Sequence, residues 1–201
     1  MDNSERIRIF KSLFKSREDV FAVRWEKGSK SGYMPAYEYD PYAYKLHRIK
    51  GGAFSDFREK SLMPLSDHQI RDHIEGKQFI GIYPLLLDNS SWFIAADFDG
   101  DKWISECRAL LTACTEKAVP AYLERSRSGK GGHVWIFFDE PYPAFKSRRV
   151  LRNLLEESGV ISAFDKSSSY DRLFPNQDQH SGKRLGNLIA LPLNGVAISE
   201  N

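Results

Sequence analysis

Hydrophobic positions along this chain follow two rhythms, one helical and one of short unbroken runs. Ile7, Ile9, Phe10, Leu13 and Phe14 recur at helical spacing, which predicts a helix over 4–16 with a broad apolar face. The run at 19–25 fits either a short strand or a second helical piece, and a loop rich in Gly, Ser, Lys and Tyr follows, up to a turn at Gly51-Gly52. Ser66-Asp67 reads as an N-cap for a short helix over 68–74 that ends at Gly76. Residues 78–87 are apolar and strand-favouring around Gly81 and Pro84, and predict a strand that neighbours the next run. That next run is Trp92-Phe93-Ile94-Ala95-Ala96-Asp97-Phe98-Asp99, bounded by Asn89-Ser90-Ser91 and Gly100, and reads as a buried strand. Trp103, Ile104, Cys107, Leu110, Leu111 and Cys114 predict a helix over 102–118, with Pro120 just past its end. A short strand at 121–124 and a second buried strand at 133–138 come next. A helix over 144–158 is predicted to turn Phe145, Leu151, Leu154 and Leu155 inward, and Lys146, Arg148, Arg149 and Arg152 outward as a solvated face. Two short apolar runs, 170–174 and 188–191, complete the pattern. Strands and helices alternate from residue 78 onward, which predicts an α/β or α+β sheet covered by helices.

Composition narrows the class. The 201 residues are 41% hydrophobic and 28% charged, enough for one large or two small folded domains and against wholesale disorder. No apolar run approaches the roughly 18–20 residues of a membrane span, and residues 1–6 lack a signal-peptide pattern. A cytoplasmic protein without a membrane partner is the default. The net charge is only +2, so nucleic-acid binding would need a local basic patch. Cys107 and Cys114 lie seven apart on one helical face and read as small core residues, not as a disulfide or zinc pair.

Chemistry concentrates at three places. On a strand, Asp97 and Asp99 share a face about 6.5–7 Å apart, and like charges held there repel unless a cation lies between them. They form either a divalent-metal site or the start of an acidic turn. The stretch 125–133 combines Arg125, Arg127 and Lys130 with Ser126, Ser128, Gly129, Gly131 and Gly132, and ends at His133. Glycines let backbone N–H groups approach an anion, and cations and hydroxyls add charge-assisted bonds to phosphate. It is not a Walker A loop, which would need Gly at 124 and Ser or Thr at 131, where this chain has Glu124 and Gly131. Tyr33, Tyr37, Tyr39, Tyr42 and Tyr44, followed by Lys45, His47, Arg48 and Lys50, would either stack bases or pack an irregular segment. His68 and His73 are five apart, poor spacing for two ligands on one helix, and read as surface or packing residues. An acidic pair that needs a metal beside a glycine loop that needs a phosphate is the working arrangement of nucleotidyl transfer.

Four stretches carry a resemblance to a known family: 92–99 with Asp97 and Asp99, 124–138 with Ser128-Gly129-Lys130-Gly131-Gly132-His133, 170–178 with Tyr170-Asp171, and 186–193. Together they resemble the motifs of the archaeo-eukaryotic primases, the primase-polymerase superfamily. The resemblance is closer to the branch of TOTE conflict system primase domains and CRISPR-associated primase-polymerases. Segments 18–22 and 81–84 fit it too. It implies an α+β fold with a catalytic sheet related to the RNA-recognition module, helices behind it and an N-terminal α/β part. The chain would be one catalytic domain, with 1–78 as the accessory part and 79–201 as the metal- and nucleotide-binding core. It also implies template-directed joining of nucleoside triphosphates to a 3′-hydroxyl with two Mg²⁺ or Mn²⁺ ions. DNA template, primer and a (deoxy)nucleoside triphosphate are the implied partners, and a fused or associated helicase, nuclease or CRISPR adaptation protein is implied company. Asp97 and Asp99 are then metal ligands, with Asp171 or, seven residues on, Asp178 as the third carboxylate. His133, Ser128, Lys130 and the backbone of Gly129 and Gly131 would hold the triphosphate. Arg172 is a further phosphate candidate, which alternation points to the opposite face from Asp171 if the strand is regular. Asn176 and Gln177 belong to the resemblance without an assigned role. Relatives in this branch carry cysteines where this chain has Phe54-Ser55-Asp56-Phe57, so no zinc is expected and packing by the two phenylalanines takes its place. The chain stops soon after Leu193 without an evident closing element, as expected of a domain excised from a longer protein. Two other readings share these residues: a single-strand-binding module without catalysis, and a metal-dependent phosphoesterase.

Overall fold

The computed structural model describes residues 2–162, 167–182 and 184–200. The chain opens with α1 (Asn3–Leu13), the hairpin β1 (Ala22–Lys27) and β2 (Lys30–Pro35), then β3 (Tyr37–Tyr39), α2 (Pro41–Ile49) and β4 (Lys60–Leu62). Next come α3 (Asp67–Ile74), β5 (Ile80–Ile82), β6 (Ser90–Asp99), α4 (Trp103–Glu116), β7 (Tyr122–Arg125) and β8 (Gly131–Pro143). The last elements are α5 (Ala144–Glu157), β9 (Tyr170–Phe174), β10 (Ile189–Ala190) and α6 (Gly195–Glu200). A central antiparallel sheet runs β7-β8-β6-β9, a second runs β10-β5-β1-β2, and β3-β4 form a separate ribbon. No described helix is long and apolar enough to cross a membrane.

The continuous apolar run of β6 exists because both faces of this inner strand are covered. Even-numbered Ile94, Ala96 and Phe98 pack with Val134 and Ile136 against Cys107, Leu110 and Cys114 of α4 and Leu151, Leu154 and Leu155 of α5. Odd-numbered Phe93 and Ala95, with Trp135 and Phe174, pack against Ile7 and Phe10 of α1, Phe14 just past its end, Phe21 just before β1, and Ile80, Ile82 and Ile189 of the second sheet. Burial of side chains of this size stabilises by about 1.5–3 kcal/mol each. Cys107 and Cys114 are free and buried, as expected of small core residues, and burial pushes the Cys107 thiol up to about 12.

Several expectations need correction. Of the two readings open for 19–25, the strand is the one found, as β1 from Ala22 onward. The stretch read as a loop holds β2, β3 and α2, because Gly28 at φ +60° allows the hairpin turn and Asp40 caps a helix that starts with Pro41. Tyr37, Tyr39 and Tyr44 pack on Phe54 at 5.5, 5.3 and 5.2 Å between ring centroids, and Phe57 closes the cluster. These tyrosines serve packing, while Tyr42 stays exposed. The strand expected over 78–87 shrinks to β5, which joins the second sheet and not β6. Asp88 accepts from the Ser90 N–H at 3.0 Å in the turn that redirects the chain into β6. Phe145 points outward, 41% exposed, and Ala144 and Ser147 take the inner face instead. The C-terminal segment carries a short helix, α6, where no closing element was expected.

Candidate active site

Asp97 and Asp99 project from the end of β6 where the apolar interior gives out, on the face that Phe93 and Ala95 line further back. Cross-strand pairing sets Asp97 opposite His133 and Asp99 opposite Gly131. Gly131 leaves the space in front of Asp99 open: a Cβ there would strike the Phe98 carbonyl and come within 2.5 Å of Asp99 Oδ1. Asp171 arrives from β9 through a local irregularity. Arg172 pairs with Asp97 and Tyr170 with Phe98, so Asp171 is an extra residue in a β-bulge. Bulges re-aim side chains, and this one brings Asp171 to the two other carboxylates. One oxygen from each of Asp97, Asp99 and Asp171 lies within 4.8 Å of the others. The expectation that Arg172 faces away from Asp171 is corrected by the same bulge. Arg172 lies directly across from Asp97, and its Nε donates to Asp171 Oδ2 at 2.6 Å. Asp178 lies outside the cluster, ion-paired with Arg148 of α5.

Burial pushes Asp97 up to about 6, with the charges of Asp99 and Asp171 adding to the shift and His133 and Arg172 opposing it. Three converging carboxylates offer only hard oxygen donors, which suit Mg²⁺ or Mn²⁺ better than thiolate-seeking metals. A divalent cation among them would offset the carboxylate repulsion that adds to this shift, so the residues present fit such an ion.

His133 is 9% exposed and sits between two carboxylates. Its Nε2 is 3.3 Å from Asp97 Oδ1, and its Nδ1 donates to Glu124 Oε2 at 2.5 Å. The same Glu124 oxygen lies 3.4 Å from the indole N–H of buried Trp135. Burial opposes a charge on His133, but the Glu124 hydrogen bond and the nearby carboxylates outweigh it, and its pKa rises. Sequence reasoning passes over Glu124. The signal that finds it is hairpin register, since β7 and β8 pair Glu124 with His133 directly.

The glycine stretch is the tight turn between β7 and β8. Gly129 adopts φ +70°, its N–H donates to the Ser126 carbonyl at 2.9 Å, and the Lys130 N–H lies 3.3 Å from Ser128 Oγ. Those two N–H groups are thus engaged inside the turn, while the Ser128 and Lys130 side chains stay exposed at its tip. Arg125 donates to the Gly129 carbonyl at 3.3 and 3.2 Å. Arg127 lies over the Phe79 ring, 5.5 Å from its centroid. Tyr33, Phe79, Arg127, Glu124 and His133 border a cleft of about 320 Å³ between the two sheets.

The family model described as the archaeo-eukaryotic primase domain of the TOTE conflict system matches residues 5–201. No curated protein matches the sequence. Among solved structures, the polymerase domain of Mycobacterium tuberculosis ligase D in complex with DNA superposes with a TM-score of 0.50 at 14% identity, covering 94% of this chain and 72% of that one. At that identity the likeness is one of fold, a mixed helical and antiparallel-sheet fold of the primase-polymerase kind. The chain belongs to the archaeo-eukaryotic primase domain family of TOTE conflict systems.

Proposed function

We propose that residues 1–201 act as one catalytic unit, a template-directed nucleotidyltransferase that joins nucleoside triphosphates to the 3′-hydroxyl of a DNA strand. The observation that carries this reading is the convergence of Asp97, Asp99 and Asp171 within 4.8 Å, beside His133 and the β7–β8 turn. Asp97, Asp99 and Asp171 would hold two divalent cations, Mg²⁺ or Mn²⁺, which when bound make the attacking hydroxyl easier to deprotonate and neutralise charge on the phosphates. His133 presents its Nε2 edge beside the carboxylates, with Glu124 fixing the Nδ1–H tautomer. Burial opposes a charge there, but the Glu124 hydrogen bond raises its pKa, which favours an Nε2–H donor towards a triphosphate oxygen. Ser128 and Lys130, exposed at the turn tip, and Arg172, next to Asp171, add hydroxyl and cationic donors. Gly129 gives the turn its conformation, and Gly131 keeps the approach to Asp99 open.

The test is primer extension with Mn²⁺ and a product analysis. The wild-type chain is expected to lengthen the primer and release pyrophosphate. Asp97→Ala is expected to lose at least about 10³-fold in rate, with DNA affinity unchanged or higher as a negative charge is removed. A wild-type protein that binds DNA without ever incorporating a nucleotide points to a binding module, and a shortened strand points to a phosphoesterase.

A further inference from the structure

Beyond β9 the surface carries cations that the site described so far leaves unused. Phe145, Arg148, Arg149 and Arg152 recur at i, i+3, i+4 and i+7 on α5 and so share one stripe of the helix. Together with Arg172 and Asn176 they line a depression of about 320 Å³ at the edge of the central sheet, and Asp171 lies on its wall. Arg148 is anchored to Asp178. Arg149 is exposed, its guanidinium 5.8 Å from the Phe145 ring centroid. Arg152 pairs with Glu156 at 3.5 Å with both side chains more than half exposed, a contact that contributes little in water and yields to a better partner. All four cations are arginines, whose planar forks match phosphate oxygens. A chain with a net charge of only +2 concentrates them beside its carboxylate cluster.

In phosphoryl transfer the attacking and leaving oxygens lie roughly in line, on opposite sides of the phosphorus. In the sheet order β7-β8-β6-β9 the turn bearing Ser128 and Lys130 lies on one side of Asp97 and Asp99, and the arginine depression lies on the other. If the triphosphate and its pyrophosphate leaving group occupy the turn side, the strand that offers the 3′-hydroxyl must come in over the β9–α5 edge. We propose that Arg149 and Arg152 grip the phosphate backbone of that 3′-hydroxyl strand, with exposed Phe145 as a ring on which a base stacks. This assignment rests on the nucleotidyl-transfer reading.

The experiment measures equilibrium binding of a fluorescent primer–template to the full chain by anisotropy, in EDTA and without triphosphate, across a salt series. The Arg149→Glu, Arg152→Glu double variant is expected to weaken binding at least about tenfold at low salt. Two lost phosphate contacts on the duplex are also expected to flatten the slope of log K against log salt by about 1.8. Both residues are solvent-exposed, so the fold is expected to survive, and a melting curve checks it. A variant with the same charge change on α1, Arg6→Glu with Arg8→Glu, is expected to lose far less. Equal losses in the two variants, no loss in the Arg149 and Arg152 variant, or an unchanged salt slope would each overturn the assignment. Incorporation by the wild-type chain reports on the reaction separately. A protein that loses DNA through Arg149 and Arg152 but never extends a primer keeps the strand track and refutes the polymerase reading.

Discussion

Glu124 touches none of the three clustered carboxylates, yet it decides which edge of His133 faces them. A charge-assisted hydrogen bond of this kind contributes about 1.5–3 kcal/mol, so Glu124→Ala is expected to raise KM for the triphosphate by about 10- to 100-fold with a smaller change in kcat. Glu124→Gln keeps an acceptor oxygen for the Nδ1–H and should recover most of that loss. Because Glu124 acts through His133, combining Glu124→Ala with His133→Ala should be no worse than His133→Ala alone. Steady-state kinetics on the three single variants and the double variant check this, and additive losses would contradict it. Asp97, Asp99 and His133 stood out in the sequence because each sits where an apolar run meets polar residues. Glu124 did not, since its partner is fixed by strand register and not by spacing. A regular strand would set Arg172 and Asp171 on opposite faces, and a bulge of one residue breaks that alternation. Asp171 and Asp178, alternatives in the sequence, lie apart in the structure: Asp171 in the carboxylate cluster, Asp178 on Arg148.

At the scale of elements, the long runs were the legible ones. β6, α4 and α5 each repeat one pattern for several turns or pleats, and each appears close to its expected bounds. The stretch from 26 to 50 was not legible as structure, because its tyrosines follow neither period, and their packing on Phe54 and Phe57 depends on a ribbon closed by the later strand β4. His73 shows what a surface-or-packing histidine does once placed. It is fully buried, and its Nε2 donates to the Pro192 carbonyl at 2.8 Å, tying α3 to the C-terminal segment. Burial lowers its pKa, only partly offset by backbone carbonyls. The unfolded chain therefore takes up a proton at this position at higher pH than the folded one, and the contribution of neutral His73 is complete above about 6.5 and is lost as pH falls below it. His133, whose pKa is raised, acts in the opposite sense, so the comparison must be made against a variant. Between pH 7.5 and 5.5 the unfolding midpoint of the wild-type chain is expected to fall more steeply than that of His73→Gln, which keeps an N–H donor but does not titrate. Parallel thermal melts across that interval check it, and equal slopes would remove His73 as the cause.

At the scale of the whole molecule, two sheets share one core, and the carboxylates sit at its rim. The second sheet is assembled from distant parts of the chain, with β5 pairing to both β1 and β10, so Ile80, Ile82 and Ile189 meet Phe93, Trp135 and Phe174 in one cluster. That assembly was not readable from local pattern, because short strands such as β5 and β10 are specified by burial against distant partners. Burial at this rim is what draws the pKa of Asp97 up to about 6. Near-zero net charge likewise concealed a division of cations, with Ser128, Lys130 and His133 on one side of the carboxylates and the α5 arginines on the other. The most direct test of the account is a crystal structure of the chain soaked with Mn²⁺ and a nucleoside triphosphate, with anomalous diffraction measured at the manganese edge. The account predicts anomalous density among Asp97, Asp99 and Asp171, with the triphosphate on the His133 side. Anomalous density elsewhere, or a triphosphate bound without metal at those carboxylates, would contradict it.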